Sequence, residues 1–335
     1  MIKYVLIIST ESDASTTKVI DWLRYYKQPY IVINENANVY LKKFELTESF
    51  GCRFQLEVNE QVSGQTYKID NQNIKSVWYR RGYFFITNTT DQTNSIFDQE
   101  TLHNISYFQE EQNYVIAKFI YNYLVEKALH INRIEDNSIN KIEVLDFARS
   151  LGLKIPPSYI FTKKQELKFN GTLVNKSLNN PVSLTITNKK EHFYSMTELL
   201  TAQRQQFIPS QFPPAFFQKY IDKIFEIRTF FLDGEFYSMA IFSQNDEQTK
   251  IDFRNYNFSK PNRCLSYELP AAITRRLRNL FNKLNMNSGS VDLIYDNTGD
   301  YYFLEINPVG QYDMVSVPCN YFLHKKIAKY LSVYE

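Results

Sequence analysis

The sequence predicts an α/β (α+β) chain, and three stretches carry that prediction. The first residues run strand, helix, strand. The section from 155 to 255 alternates short strands with one helix, and near the C-terminal end two apolar strands flank the turn NTGD.

Each element has its own local reason. IKYVLIIST reads as a buried strand, and TTKVIDWLRYY then sets Val19, Ile20, Leu23 and Tyr26 at helical spacing, with Asp13, Ser15 or Thr16 as the cap. The run YIVIN completes a strand–helix–strand unit, which calls for a parallel sheet. FQLEV and TYKID, joined through NEQVSGQ, alternate as a β-hairpin does, and SVWYRRGYF is a strand that ends in Arg80 and Arg81. From 98 to 135 the pattern is helical, with Leu102, Ile105, Phe108, Val115, Phe119, Tyr123 and Leu124 three and four apart. EDNSIN ends it. The helix KIEVLDFARSLGL follows, stopped by Gly152, Pro156 and Pro157, and a domain boundary is placed near residue 120. Next come PSYIFT, TLVNKSL, SLTIT, a helix around 196 to 206, AFFQKYI, and the hairpin EIRTFFLDGEFYSMAIFS about Asp233 and Gly234.

At 335 residues, with 44% hydrophobic and 16% aromatic residues, the chain can bury a sizeable interior, and two or three subdomains around a cleft are expected. Lys plus Arg number 38 against 36 Asp plus Glu, so no global field points to nucleic acid or to an acidic membrane, and any anion site must be local. Cys52, Cys264 and Cys319 are odd in number and lack metal-ligand spacing, which argues against a disulfide framework or a zinc site and fits a reducing cytoplasm. His103, His130, His192 and His324 show no metal spacing either. The apolar run YVLII is far too short for a signal peptide or a membrane span.

The chemistry concentrates in VDLIYD and YYFLEI. With the turn centred between Thr298 and Gly299, Asp292 falls directly opposite Glu305, and Asn307 is a diagonal neighbour on the same face. Directly opposed like charges destabilise a sheet. Two carboxylates and an amide oxygen suit Mg²⁺, which takes few protein ligands and keeps water and phosphate for the rest of its octahedron. An exposed hairpin whose charges face water is the plainer alternative.

At this point the residues resemble a known family. NKIEVLDFARSLGLKIPPSYI, VNKSL, FFQKYIDKIFEIRTFFLDGEFYSMAIFS and GSVDLIYDNTGDYYFLEINPVGQ, in this order, resemble the ATP-grasp ligase superfamily. DASTTKVIDWL, SVWYRRG, IDFRNYN and FLEINPVGQYDMVSVPCNY resemble more closely the peptide maturases of graspetide (RiPP) biosynthesis, in the grasp-with-spasm subgroup. The likeness runs through nearly the whole chain, and the terminal motif is its most specific piece.

The resemblance implies an ATP-grasp fold of three subdomains with the nucleotide between the central and C-terminal sheets. These would be an N-terminal unit at 1–120, a central subdomain at 121–215 with the lid and a leader-docking stretch at about 178–215, and a C-terminal subdomain at 216–335 with the metal site. It implies that ATP phosphorylates a Glu or Asp side chain of a precursor peptide, after which a Ser/Thr hydroxyl or Lys amine attacks to close an ω-ester or ω-amide macrocycle. A ligase acting on a free amino acid or a protein tail shares the same ATP machinery. A peptide-binding protein with a degenerate nucleotide site is disfavoured by the retained ligand set.

Carried over residue by residue, Asp292, Glu305 and Asn307 match the family's Mg²⁺ ligands, for two ions, and Lys141 and Lys176 match its phosphate-holding lysines. Gln218, Lys219, Tyr220 and Ile221 match the adenine hinge, with a core strand as the alternative, and Glu226 the ribose acceptor. Arg228 and Arg254 match the arginines near the transferred phosphate, with Arg263 a weaker member. At least one of Arg80 and Arg81 is expected to face the cleft, with a salt bridge as the alternative. One departure stands out: no glycine lies between Gly171 and Gly234, so Asn179, Asn180 and Ser183 would replace the usual glycine-rich lid. The partners implied are a precursor peptide with leader and core, and a second copy in a homodimer.

Overall fold

The computed structural model describes residues 2–88, 97–167, 172–178, 183–186, 191–194, 197–255 and 257–332, with backbone alone at 183–186 and 191–194. The chain forms two compact units, Met1–Asn137 with Phe322–Glu335, and Ser138–Tyr321.

The first unit contains β1 (Tyr4–Ile8), α1 (Ala14–Tyr25), β2 (Tyr30–Ile33), β3 (Ala37–Thr47), β4 (Gly51–Glu60), β5 (Thr66–Asp70), β6 (Ile74–Tyr79), α2 (Gln99–Lys127) and β7 (Leu129–Ile131). The expected strand–helix–strand start is present, and β1 and β6 are the inner strands of a parallel sheet ordered β2-β1-β6-β7. Of the three candidate caps, Asp13 starts α1, accepting from the Ser15 amide at 2.9 Å and the Thr16 amide at 3.2 Å. The expected hairpin is β4 and β5, and β3 joins it as a third antiparallel strand. The helix expected to reach 135 ends at Lys127, because LHI leaves it to pair with β6 as β7: sheet pairing overrides a helical pattern that nothing local terminates. The boundary expected near 120 therefore falls inside α2, and the two units part at 137/138 instead.

The second unit contains α3 (Lys141–Ser150), β8 (Ser158–Lys163), β9 (Leu173–Lys176), β10 (Ser183–Ile186), β11 (Glu191–Tyr194), β12 (Glu198–Leu199), α4 (Ala202–Gln206), β13 (Gln211–Lys219), β14 (Lys223–Leu232), β15 (Glu235–Phe242), β16 (Arg263–Tyr267), α5 (Ala271–Lys283), β17 (Ser288–Asp296), β18 (Tyr301–Asn307) and α6 (Asp313–Ser316). The helix expected at 196 to 206 starts late, because Glu198 and Leu199 pair with Asn175 and Val174, and Thr201 then caps the short α4. Three antiparallel sheets result, the pair β10-β11 and two larger ones ordered β12-β9-β13-β8 and β16-β15-β14-β17-β18. The final helix, α7 (Leu323–Ser332), belongs to the first unit, where the Ser76 hydroxyl donates to its Leu331 carbonyl at 2.9 Å.

The five-stranded sheet has two unlike faces. Ile227, Phe231, Val291 and Leu293 point to α3 and α5, where Val144, Leu145, Ala148, Leu277, Leu280 and Phe281 close a buried core. Burying a side chain of this size contributes roughly 1.5–3 kcal/mol, so this layer holds the sheet rigid. Because strand side chains alternate, Glu226, Arg228 and Asp292 are forced to the other face. No described helix is long and apolar enough to cross a membrane.

Candidate active site

The sheet's polar face gathers its carboxylates through an irregularity. Near the turn, Tyr295 pairs with Tyr301, Ile294 with Tyr302 and Leu293 with Phe303, a register centred on Thr298. Continued unbroken, it would put Leu304 opposite Asp292. A β-bulge between Asp292 and Leu293 shifts the pairing by one, so that Asp292 meets Glu305 and Ser290 meets Asn307. The bulge also explains FLEIN: Phe303 and Ile306 both reach the core, which strict alternation forbids, while Glu305 and Asn307 share the cleft side with Asp292.

Cations surround this pair. The Arg228 Nη1 donates to both Asp292 oxygens, at 2.9 and 3.0 Å, from the adjacent strand β14. Lys141, the first residue of α3, brings its Nζ to 3.3 Å from a Glu305 oxygen, and Arg254 donates to the other at 3.2 Å. The Asn307 amide donates to Asp292 at 3.3 Å. Arg254 is itself held by Asp252 through two bonds of 2.9 and 2.7 Å. Burial raises the Asp292 carboxyl above its usual range, against the pull of Arg228. Burial also pushes Glu305 upward, but Lys141, Arg254 and Lys176 together hold it below its usual range. Burial opposes the charge on Asp252 as well, yet Arg254 brings it down to about 2. In Lys176 burial lowers the ammonium, opposed by Glu305.

Lys176, Asp252, Arg254, Asp292 and Glu305 line one solvent-open cleft of about 620 Å³ between the two larger sheets of this unit. Gln218, Lys219, Tyr220 and Ile221 line it too. The Lys219 and Tyr220 amides are used by Pro157 and Thr172 carbonyls at 2.8 Å each, and the Gln218 side chain bonds the Ser158 hydroxyl at 3.1 Å. Ile221, between β13 and β14, lines the cleft with no hydrogen bond from its backbone among the described residues. Glu226 stands nearby with both oxygens engaged, by Lys223 Nζ at 2.7 Å and the Ser243 hydroxyl at 2.6 Å, and burial raises its carboxyl.

Among the sequence candidates, Lys141, Lys176, Gln218, Lys219, Tyr220, Ile221, Glu226, Arg228, Arg254, Asp292, Glu305 and Asn307 come together around this cleft. Arg263 does not: it lies on the edge strand β16 with its guanidinium over the Phe242 ring at 5.6 Å. Arg80 and Arg81 form ion pairs with Asp13 at 3.0 and 3.1 Å, the salt-bridge alternative. Asn179 and Asn180 lie outside the described residues, as does the side chain of Ser183. Three participants escaped sequence reading: Lys223, Ser243 and Asp252. Asp252 carried a signal, since an acid two residues before an arginine in IDFR can accept its backbone amide, as here at 3.0 Å.

The donor set fits Mg²⁺. Among the described residues no three His, Cys, Asp or Glu side chains are arranged to hold a metal, but here the third donor is an amide. Two opposed carboxylates that draw Lys141, Arg228 and Arg254 to themselves show a site that demands positive charge, and oxygen-only ligands select a hard cation.

Comparison with solved structures bears on the architecture. A RiPP-associated ATP-grasp ligase from Chryseobacterium gregarium, in complex with ADP and a leader and core peptide, matches with a TM-score of 0.74 at 20% identity, over 98% of this chain and 95% of that one. The chain has the ATP-grasp fold. Macrocyclase MdnC from Microcystis aeruginosa MRC, bound with precursor peptide MdnA, shares the ATP-grasp architecture with a TM-score of 0.68 at 21% identity, over 98% and 99% of the two chains. The ATP-grasp ligase PsnB, complexed with a phosphomimetic variant of a minimal precursor, Mg and ADP, matches with a TM-score of 0.67 at 14% identity, over 99% and 98%. No family model and no curated protein sequence matches the chain.

Proposed function

We propose that this protein is an ADP-forming ATP-grasp ligase. It activates Glu or Asp side chains of a ribosomal precursor peptide as acyl phosphates and joins them to Ser/Thr hydroxyls or Lys amines, closing macrocycles. The observation that carries the reading is the opposed pair Asp292 and Glu305 ringed by Lys141, Arg228 and Arg254, with Lys176 on the same cleft wall. Among the described residues the site brings together no nucleophilic triad. What it supplies is charge neutralisation and position, which is what phosphoryl transfer between two anions requires.

The residues divide the work. Lys141 and Lys176 hold the nucleotide phosphates, and the Ile221 backbone receives the adenine edge. Glu226, kept in place by Lys223 and Ser243, accepts from the ribose. Asp292, Glu305 and Asn307 would hold Mg²⁺, with two ions as the family resemblance implies, and bound metal supplies screening of the phosphate charge. Arg228 keeps its Nε and Nη2 buried without hydrogen-bond partners among the described residues, two donors suited to the oxyanion formed during transfer. Arg254, aimed by Asp252, orients the incoming carboxylate. The peptide carboxylate oxygen forms a bond to the γ-phosphorus while the bond to ADP breaks. The hydroxyl or amine then attacks the acyl carbon, phosphate leaves, and the proton departs with it.

A peptide substrate is supported over a free amino acid by a second groove in the same unit. It is solvent-open, about 1000 Å³, and walled by Leu199, Leu200, Phe207, Ile208 and Phe212 with Arg204 and Glu198 at its edge. It falls in the described part of the stretch expected to dock a leader. The groups proposed for the complex are that precursor and a second copy of the chain. The test is mass spectrometry of the peptide encoded beside this gene, with ATP and Mg²⁺. Loss of one water per ring, faster for the full precursor than for the leaderless core, is expected. Equal rates would remove the docking role, and no water loss with any such peptide would remove the macrocyclase reading.

A further inference from the structure

Strand β14 begins with an irregularity of its own. Lys223 pairs with Asp296 and Phe225 with Tyr295, so Ile224 is an extra residue, a β-bulge against β17. In an unbroken strand residues 223 and 226, an odd number apart, would point to opposite faces of the sheet. The bulge brings both side chains to the cleft, where the Lys223 Nζ donates to a Glu226 oxygen at 2.7 Å. The same ammonium has a second partner. It donates to the Ile251 carbonyl at 3.0 Å, in the connection from β15 to β16 that carries Asp252 and Arg254.

That connection is fastened near both of its ends. The Thr249 hydroxyl lies 3.1 Å from the Ser243 carbonyl and 2.9 Å from the Asn262 side-chain oxygen, and the Gln244 side chain donates to the Lys250 carbonyl at 3.1 Å. Lys223, Glu226, Ser243 and Thr249 are all buried, so water does not compete for these bonds. One peptide bond separates the Ile251 carbonyl from Asp252, whose carboxylate aims Arg254, and Arg254 in turn reaches Glu305. An ammonium carries three donors and can hold a carboxylate and a carbonyl at once. One buried cation thus fixes Glu226 on the nucleotide side of the cleft and the segment leading to Arg254 on the other.

We propose that Lys223 is a positioning residue that sets both halves of the site together: it holds Glu226 for the ribose and, through the Ile251 carbonyl, holds Arg254 at the angle that presents it to the substrate carboxylate. The inference rests on the ligase reading and adds to it a link between the nucleotide and peptide subsites. The test is steady-state kinetics with the peptide encoded beside this gene, beside thermal melts. Lys223→Met is expected to cut the preference for ATP over 2′-deoxy-ATP, read as a ratio of kcat/KM, at least about fivefold, and to raise the peptide KM at least about fivefold. Because methionine leaves Glu226 charged and buried, Lys223→Gln, which keeps a donor, is measured alongside with the same two shifts expected. Ser243→Ala should move the ratio alone, and Asp252→Asn the peptide KM alone. Loss of stability by itself would lower the melt and the amount of active enzyme, and would leave ratio and KM where they are. Wild-type chain that closes no ring removes the ligase reading and this inference with it. Wild-type chain that closes rings while the Lys223 variants shift only one of the two readings, or neither, overturns the inference and leaves the ligase reading intact.

Discussion

Replacing Glu305 by glutamine keeps the side chain's shape and removes one charge from the centre of the site. Its oxygens face Lys141 at 3.3 Å and Arg254 at 3.2 Å, and its carboxyl opposes that of Asp292 across the β17–β18 pair. The two cations have side chains 36% and 46% exposed, so each lost pairing costs about 0–1 kcal/mol. Relief of the repulsion from Asp292 offsets much of that. Net stability should change by no more than about 1 kcal/mol, about 2–4 °C in Tm for a unit of this size. Turnover is another matter. Under the proposed role, in which Glu305 would hold Mg²⁺ against the phosphates, Glu305→Gln should lower turnover by at least roughly 10–100-fold while raising the Mg²⁺ concentration needed for half activity. ADP release measured across a Mg²⁺ titration, beside a thermal melt, checks both halves. Turnover within about threefold of wild type, or a melt lowered by more than ~10 °C, would refute the reasoning: the first denies the charge role, the second makes Glu305 structural.

Other perturbations probe separate parts of the site. Arg228→Lys keeps the charge beside Asp292 but loses the planar fork, so turnover should fall at least about tenfold with ATP affinity nearly unchanged; affinity dropping in step with turnover would place Arg228 on the nucleotide instead. Ser243→Ala frees one oxygen of Glu226, and the preference for ATP over 2′-deoxy-ATP, read as a ratio of kcat/KM, should shrink by roughly tenfold, whereas an unchanged ratio removes Ser243 from ribose recognition. Gly310→Ala should destabilise by about 1–3 kcal/mol, because φ is +73° and the added Cβ would lie 2.9 Å from a ring carbon of buried Phe230; a melt equal to wild type would count against that contact. Since the Gly310 amide closes the turn onto the Asn307 carbonyl at 3.0 Å, turnover in this variant should fall with stability.

Much of this site was legible because its elements are short and their signals local. Turn NTGD and two apolar strands announced the hairpin, and an expected centre one half-step off still gave the right pair, Asp292 with Glu305, because the bulge compensates. What could not be read was long-range register. Arg228 meets Asp292 because β14 pairs with β17, sixty-four residues apart, and no local pattern encodes that alignment. Lys223 and Ser243 converge on Glu226 from two strands for the same reason. The end of α2 was missed where LHI, apolar enough for either state, was claimed by the parallel sheet. Asp13 was legible as a cap, but not as the acid that ion-pairs with Arg80 and Arg81.

The central claim, that a peptide carboxylate is phosphorylated before the ring closes, has one direct test. A precursor whose Glu and Asp carboxylates carry heavy oxygen is cyclised with ATP and Mg²⁺, and the released phosphate is analysed by mass. The account predicts one heavy oxygen in phosphate for every ring formed, since the carboxylate oxygen bonded to phosphorus leaves with it. Rings formed with unlabelled phosphate would contradict it.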